Sequence, residues 1–133
     1  MATFVSCEGE ATAVNTKTQL TTLGSKGTIT PILVPGGSRQ ISAVITAFTS
    51  NYAAAGSASC FLRLEGPGLP AGPEVVTLGA VGGTSTTGGA GGQPAVVTPL
   101  GLPVRQDNEI QVFVEMAGTD VGQINVATTL VFE

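Results

Sequence analysis

Acidic and amide side chains in two predicted turns come closest to forming a chemical site in this chain. Asp107, Asn108 and Glu109 lie in or beside one turn and Asp120 lies in the other, with one predicted hairpin between them. Their oxygen atoms are ligands of the kind that Ca²⁺ prefers. However, no calcium-loop spacing is present, and Asp and Asn are ordinary turn residues. The sequence therefore predicts no metal site.

A second set of side chains has the types that acid–base or nucleophilic catalysis needs. Glu8 and Glu10 share one face of a predicted strand and could act as paired carboxylates, but the solvated side of a strand carries the same pattern. Lys17 and Lys26 could activate a hydroxyl group, yet both stand in polar segments with no third group to orient them. The chain contains no His, which is the usual acid–base group near neutral pH. We predict no catalytic residue and no enzyme.

Two further features could bind a ligand or react: a glycine-rich segment and two cysteines. The segment from Gly82 to Gly92 has the composition of a phosphate-binding loop, but it lacks the Gly-Lys-Ser/Thr ending, and an extended run with Pro94 follows it. No helix N-terminus is available there to bind an anion, so no cofactor is predicted. Cys7 and Cys60 each stand in an alternating apolar stretch. We expect two buried, unpaired thiols in a reducing compartment.

Composition and charge exclude several classes of partner. Of the 133 residues, 5 are Lys or Arg and 9 are Asp or Glu, and the net charge is −4. Five scattered cations cannot neutralise a row of phosphates, so no nucleic-acid binding is predicted. Every apolar run is shorter than the ~20 residues of a spanning helix, and the N-terminus lacks the pattern of a signal peptide. We expect synthesis in a cytoplasm, without membrane insertion.

Alternation of apolar and polar residues with a period of two predicts strands rather than helices along most of the chain. Residues 1–133 are expected to form one domain, an all-β, jelly-roll-type antiparallel sandwich of eight to nine strands. The predicted strands are 4–14, 18–23, 28–34, 39–49, 60–65, 74–81, 95–104, 109–116 and 123–132, with loops at 51–59, 66–73 and 82–92 and turns at 106–108 and 117–120. The predicted core contains Ile41, Ile45, Leu62, Leu64, Ile110, Val112, Val114, Ile124, Val126 and Leu130.

An internal repeat favours the jelly roll over other sandwiches. The segment Thr30-Pro31-Ile32-Leu33-Val34-Pro35 is matched by Thr98-Pro99-Leu100-Gly101-Leu102-Pro103, and an Arg-Gln pair follows each copy. Each copy predicts an edge strand bounded by proline, then a turn and a core strand. Such a unit occurring once in each half of the chain is expected of two Greek keys folded into one double sheet.

Three connecting segments carry a likeness to a known class of protein. Leu-Val-Pro-Gly-Gly-Ser, Leu-Glu-Gly-Pro-Gly-Leu and Leu-Pro-Val-Arg-Gln-Asp-Asn-Glu-Ile join extended runs in a chain rich in Gly, Thr, Ala and Val. In these connecting segments and in this composition, the whole chain resembles small viral jelly-roll capsid or capsid-decorating proteins. The resemblance implies a non-enzymatic coat or decoration protein, made in the host cytoplasm and located in the virion. Many such coat proteins begin with a basic arm that holds the genome, whereas no cation precedes Lys17 here, which favours an outer or accessory position.

The expected partners are copies of this chain and other capsid proteins. Surfaces that meet copies of themselves lose charged residues, and this chain has too few Lys and Arg to guard every strand edge by charge. The predicted contact residues are Tyr52, Gly66, Pro67, Leu69, Pro70, Gly82, Thr84, Thr86, Gly89 and Gly92. Two alternatives stay open. One is a carbohydrate-binding sandwich module, which the absence of Trp and the single Tyr disfavour; the other is a subunit of another extracellular shell or filament.

Overall fold

The computed structural model describes residues 2–11, 16–22, 31–70, 74–85 and 89–133, and the regular elements in those ranges are all β-strands. In chain order they are β1 (Thr3–Ala11), β2 (Lys17–Gln19), β3 (Thr21–Thr22), β4 (Ile32–Leu33), β5 (Gln40–Glu65), β6 (Glu74–Ser85), β7 (Gly89–Pro103) and β8 (Glu109–Phe132). Every pairing between them is antiparallel. Within these ranges no helix has the length and hydropathy to cross a membrane. The all-β prediction is confirmed.

A long ribbon made of β5 and β8 organises the fold. The two strands pair along nearly their whole lengths, and the 26 residues of β5 would extend over about 85 Å if the strand were straight. Yet the neighbouring residues Val104 and Arg105 donate hydrogen bonds from their backbone N to Arg39 O at 3.0 Å and to Gly68 O at 2.8 Å, respectively. The two ends of β5 are therefore close together. The ribbon must bend back on itself, which places its two halves in two facing sheets.

The register of the strands defines the two sheets. The first sheet contains, in order, β1, residues 121–132 of β8, residues 40–52 of β5, and β7. The second contains β2, residues 109–119 of β8, residues 57–65 of β5, and β6. β4 joins the second sheet at the start of β8, and β3 pairs with β1. The predicted β-sandwich is thus confirmed.

The ribbon bends where a loop and a turn were predicted, and both of those predictions are wrong. Residues 51–59 belong to β5 and residues 117–120 belong to β8. In the β5–β8 ladder the register shifts between Tyr52 and Ser57, and Gly118 has a φ of 143°. Glycine adopts this conformation readily because it has no Cβ. A bend in a continuous pair of strands therefore replaces two separate connections.

The predicted glycine-rich loop at 82–92 is also wrong where the structure describes it. Residues 82–85 end β6 and residues 89–92 begin β7, and both segments pair with β5; residues 86–88 lie outside the described part. Glycine retains both backbone hydrogen-bonding groups, so a stretch without side chains can still extend a ladder. As a result, β6 and β7 follow one another along the same side of β5.

The core lies between the sheets and contains all the predicted core residues except Ile45. Ile45 is half-buried on the outer side of the first sheet, whereas its neighbours Val44 and Thr46 are buried. Between Ile41 and Ala43 the strand β5 carries one more residue than β8. A bulge of this kind moves every later side chain to the opposite face, which a simple alternation cannot anticipate.

The two cysteines differ in what the structure describes. Cys7 is a buried free thiol, as predicted. Burial disfavours its charged form and raises the pKa of the Cys7 thiol to about 11. The side chain of Cys60 lies outside the described part, although its backbone belongs to β5. Cys7 is therefore a packing residue of the first sheet rather than a reactive group.

Candidate interaction surface

The outward side chains of the first sheet follow from its register. Residues that pair across antiparallel strands project from the same face. Cys7, Thr128 and Thr46 are paired neighbours and are buried, so the residues that alternate with them face outward. Two adjacent outward rows contain no charged residue, and together they are termed the apolar band: Phe4, Val131, Ala43 and Pro99 in one row, Ser6, Thr129, Ile45 and Val97 in the next.

Phe4 and Val97 lie on the two outer strands of the apolar band. Phe4 is 63% exposed and Val97 is 60% exposed. Between them Val131 is buried and Ala43 and Ile45 are half-buried, while Pro99 is exposed beside Val97. Because the strands lie ~4.8 Å apart, the band crosses about 15 Å of sheet. Large contiguous apolar patches are a feature of surfaces that bind other molecules, and burying Phe4 and Val97 on a partner would be favourable.

Polar groups bound the apolar band on the same face. Glu8 and Glu10 are exposed on β1, where the sequence placed them on the solvated side of a strand. Gln123 Nε2 donates a hydrogen bond to Glu10 Oε2 at 2.7 Å and another to Asn125 Oδ1 at 3.1 Å. Inside the band itself, the hydroxyls of Ser6 and Thr129 satisfy each other at 2.8 Å. An apolar centre next to a polar rim is the composition of a protein–protein interface.

The outer face of the second sheet has a different character. Lys17 Nζ donates to Glu65 Oε1 at 2.5 Å and lies 4.9 Å from the centroid of the Phe113 ring. Arg63 Nη2 lies 3.9 Å from Glu115 Oε1. Lys17 thus lies over the aromatic ring, which itself is half-buried. The ring is partly screened from solvent by this cation.

The predicted contact loop at 66–73 is described as far as Pro70. Backbone hydrogen bonds of Gly68 hold this loop against the end of the sandwich. Gly68 N donates to Glu109 O at 2.9 Å, and Gly68 O accepts the bond from Arg105. Gly66 has a φ of +123°, and a Cβ added there would lie 2.6 Å from Glu109 O. No residue with a side chain fits at Gly66 without displacing backbone.

The same loop divides its side chains between the core and the surface. Leu69 is buried among the core residues, whereas Pro67 and Pro70 are exposed. Leu69 therefore packs inside its own chain. The surface that the described part of this loop offers to a partner consists of the two prolines.

The remaining predicted contact residues lie on strands instead of loops. Gly82 and Thr84 belong to β6, Gly89 and Gly92 belong to β7, and Tyr52 lies in β5 at the bend. Thr86 lies outside the described residues. Tyr52 pairs in register with Gly89, so the structure brings together the backbones of the bend and of the glycine-rich strand.

Sequence reasoning missed two exposed members of the apolar band, Phe4 and Val97. The alternation that sends Val5 and Cys7 inward also sends Phe4 outward, so Phe4 could have been identified. Val97 stands in the run Ala95-Val96-Val97-Thr98, which has no apolar and polar alternation. The outward orientation of Val97 could therefore not be predicted from the sequence.

The groups considered for chemistry do not come together. In the part of the chain that the structure describes, no group of three His, Cys, Asp or Glu side chains could hold a metal ion. Asp107 lies in a turn with φ of 60°, and Asn108 Nδ2 donates to Gln106 O at 2.9 Å within it. Asp120 lies in β8, about 35 Å further along the strand. Lys17 is engaged with Glu65, and Lys26 lies outside the described residues.

No protein-family model matches the chain, and no curated protein matches it significantly. The surfaces of the sandwich are therefore the guide to what the protein does.

Proposed function

We propose that the protein is a non-enzymatic structural subunit of a virus particle, a coat or decoration protein that assembles with copies of itself and with other capsid proteins. The observation that carries this proposal is the apolar band with its exposed Phe4 and Val97. Copies with a net charge of −4 repel one another at long range. The apolar band offers a place where two proteins can meet without bringing charges together.

The order of strands supports a jelly-roll arrangement. Each sheet contains one half of β5 beside one half of β8, with β7 or β6 on one side and β1 or β2 on the other. A long antiparallel ribbon folded over into two such sheets has the order expected of two Greek keys. This fold occurs in viral capsid proteins and in lectin domains alike, so the surface has to distinguish between these functions.

The aromatic side chains favour a structural subunit over a carbohydrate-binding module. Sugars stack on open aromatic faces, whereas the Phe113 ring lies beneath Lys17. Phe4 is exposed, but its neighbours in the band are aliphatic or small: Val131, Ala43 and Pro99. Such a row fits another apolar protein surface better than a sugar.

Charged substitutions test the apolar band. We expect Phe4→Lys and Val97→Lys to weaken self-association at least about tenfold, because a buried lysine in the contact would lose its hydration. Leu33→Lys is the matched control, since Leu33 is 60% exposed on β4 and lies outside the band. Light scattering coupled to size-exclusion chromatography measures the association, and electron microscopy shows whether particles form.

Two outcomes would overturn the proposal. If the native protein stays monomeric at high concentration and does not bind capsids of the virus that encodes it, a structural role in a shell is excluded. If all three lysine variants assemble like the native protein, the apolar band is not the contact surface. Mass spectrometry of purified virions should find the chain in a fixed ratio to the other coat proteins.

A further inference from the structure

Among the described residues, the strand edge formed by β6 and the beginning of β7 has no neighbouring strand. β6 pairs with β5 on one side, and among the described residues no strand pairs with its other side. The same is true of residues 89–93 of β7, which continue along the same side of β5. In an antiparallel ladder alternate residues turn their N–H and C=O groups away from the partner. Those groups are available to a further strand.

This edge lacks the features that normally prevent edge-to-edge association. Edges are guarded by lysine, by proline, by bulges or by being short. No charged residue occurs between Glu74 and Arg105. The bulges of β6 lie before Val81, and residues 81–85 pair with β5 without interruption. Residues 89–92 do so as well, and the first proline of β7 is Pro94.

The other side of the sandwich is guarded. β2 has 3 residues and begins with Lys17. β1 carries Glu8 and Glu10, and β3 covers part of its outer side. The open edge, defined as residues 81–85 and 89–93, is therefore the edge that this chain leaves unprotected within its described part.

We infer that the open edge pairs with the open edge of a second copy of this chain, in antiparallel orientation across a twofold axis, and so continues a sheet from one subunit into the next. This inference rests on the proposed function and specifies one of the contacts between subunits. Charge selects both the partner and the orientation. The uncharged stretch is where two acidic copies approach with least repulsion, and antiparallel pairing sends the two Glu74 residues in opposite directions, whereas parallel pairing would align them.

Small side chains fit this arrangement. The open edge consists of Val-Gly-Gly-Thr-Ser and Gly-Ala-Gly-Gly-Gln, so bulky groups do not hold the two backbones apart. A twofold contact of this kind is isologous, with the same residues on both subunits. Main-chain hydrogen bonds supply the attraction, as in other cases of strand addition.

Amide hydrogen exchange measured by NMR at low and high protein concentration tests the inference directly. We expect alternate amides within 81–85 and 89–93 to exchange rapidly in the monomer and to become protected on association, while the amides of β1 change little. An associated protein in which the amides of the open edge still exchange rapidly would overturn the inference and leave the proposed function standing. A protein that remains monomeric at all concentrations would overturn both.

A pair of lysine variants separates edge pairing from contact between faces. Thr84→Lys places a charge on the edge strand. Ser59→Lys places the same charge on the neighbouring strand β5, two residues along the ladder, where Ser59 pairs with Gly82. We expect Thr84→Lys to weaken association about tenfold and Ser59→Lys to leave it nearly unchanged. Both substitutions lower the net negative charge, so general repulsion cannot explain a loss.

Equal losses in the two variants, or a greater loss in Ser59→Lys, would show that the outer face and not the edge makes the contact. Circular dichroism confirms that each variant retains its strands. If Thr84→Lys does not fold, the exchange experiment on the native protein still decides the question.

Discussion

The two outer faces of the sandwich are built by the same two long strands, yet they differ in how they treat a phenylalanine ring. On the second sheet, Lys17, which is hydrogen-bonded to Glu65, lies over the Phe113 ring. On the first sheet, Phe4 and Val97 are exposed, and the rows between them contain no charge. A charged side chain thus covers the phenylalanine ring on the second face, whereas, among the described residues, none covers Phe4 on the first. The contrast fits the proposal that the first face, and not the second, is the one that meets another protein.

The largest loss of stability is expected in the loop that contains Gly66, because this loop is hydrogen-bonded to the end of the sandwich. Gly66→Ala should lower the free energy of unfolding by about 3 kcal/mol, because a Cβ would press on the carbonyl of Glu109 and φ is positive. Gly36→Ala is the matched control, since no atom lies within 4 Å of its added Cβ. Urea unfolding of both variants measures the difference, and equal costs would contradict the steric account.

An intermediate loss of stability is expected at two hydrogen-bonded hydroxyl pairs, one in the core and one on the outer face of the first sheet. Thr46 and Thr128 lie 3.0 Å apart in the core, while Ser6 and Thr129 lie 2.8 Å apart at the half-buried surface. Thr46→Val should cost about 1–2 kcal/mol because it leaves a buried hydroxyl without its partner. Ser6→Ala should cost less than half of that, since water can reach Thr129.

The double variant Thr46→Val/Thr128→Val serves as the control for the buried pair. It removes both hydroxyls, so we expect it to recover most of the stability lost in the single variant. Thermal unfolding measures all of these changes. If the second substitution lowers the stability again by as much as the first did, the loss of stability arises from packing and not from a buried hydroxyl without a partner.

The smallest effect is expected at the charged cover of the second face. The side chains of Lys17 and Glu65 are 36% and 18% exposed, so solvent screens their attraction, and Lys17→Met should cost only about 0.5 kcal/mol. The difference from the native protein should shrink in about 1 M salt, where the Debye length is short. Lys17→Arg, which keeps the charge, should remain close to native. A loss that does not depend on salt would mean that the lysine acts through packing on Phe113 alone.

The sequence predicted the strands of this fold better than the connections between them. Period-two alternation is a local property, and it correctly identified six inward residues of β8: Ile110, Val112, Val114, Ile124, Val126 and Leu130. The segments 51–59 and 117–120, where the ribbon bends, were read as loop and turn because Ala and Gly carry no alternation. Their continuity with the strands is decided by pairing between distant segments, which a local pattern does not contain.

The candidate surface was less predictable for the same reason. The outward position of Ile45 depends on a single extra residue in β5, and the exposure of Val97 depends on which neighbours flank β7. The predicted contact loop at 66–70 has exposed prolines, but Leu69 closes the core. Glycine and proline mark where the chain turns, but they do not show which side chains then reach the surface.

The pairing of β1 has a consequence for how the chain folds during synthesis. β1 forms its ladder with residues 124–132 of β8, which the ribosome adds more than a hundred residues later. Until then β1 has only the two-residue strand β3 as a partner, and neither half of β5 has its neighbour in β8. Contacts this distant in sequence make folding slow and bring it late. We therefore expect the sandwich to form only after β8 has emerged, and its earlier strands to stay exposed to other nascent chains in the meantime.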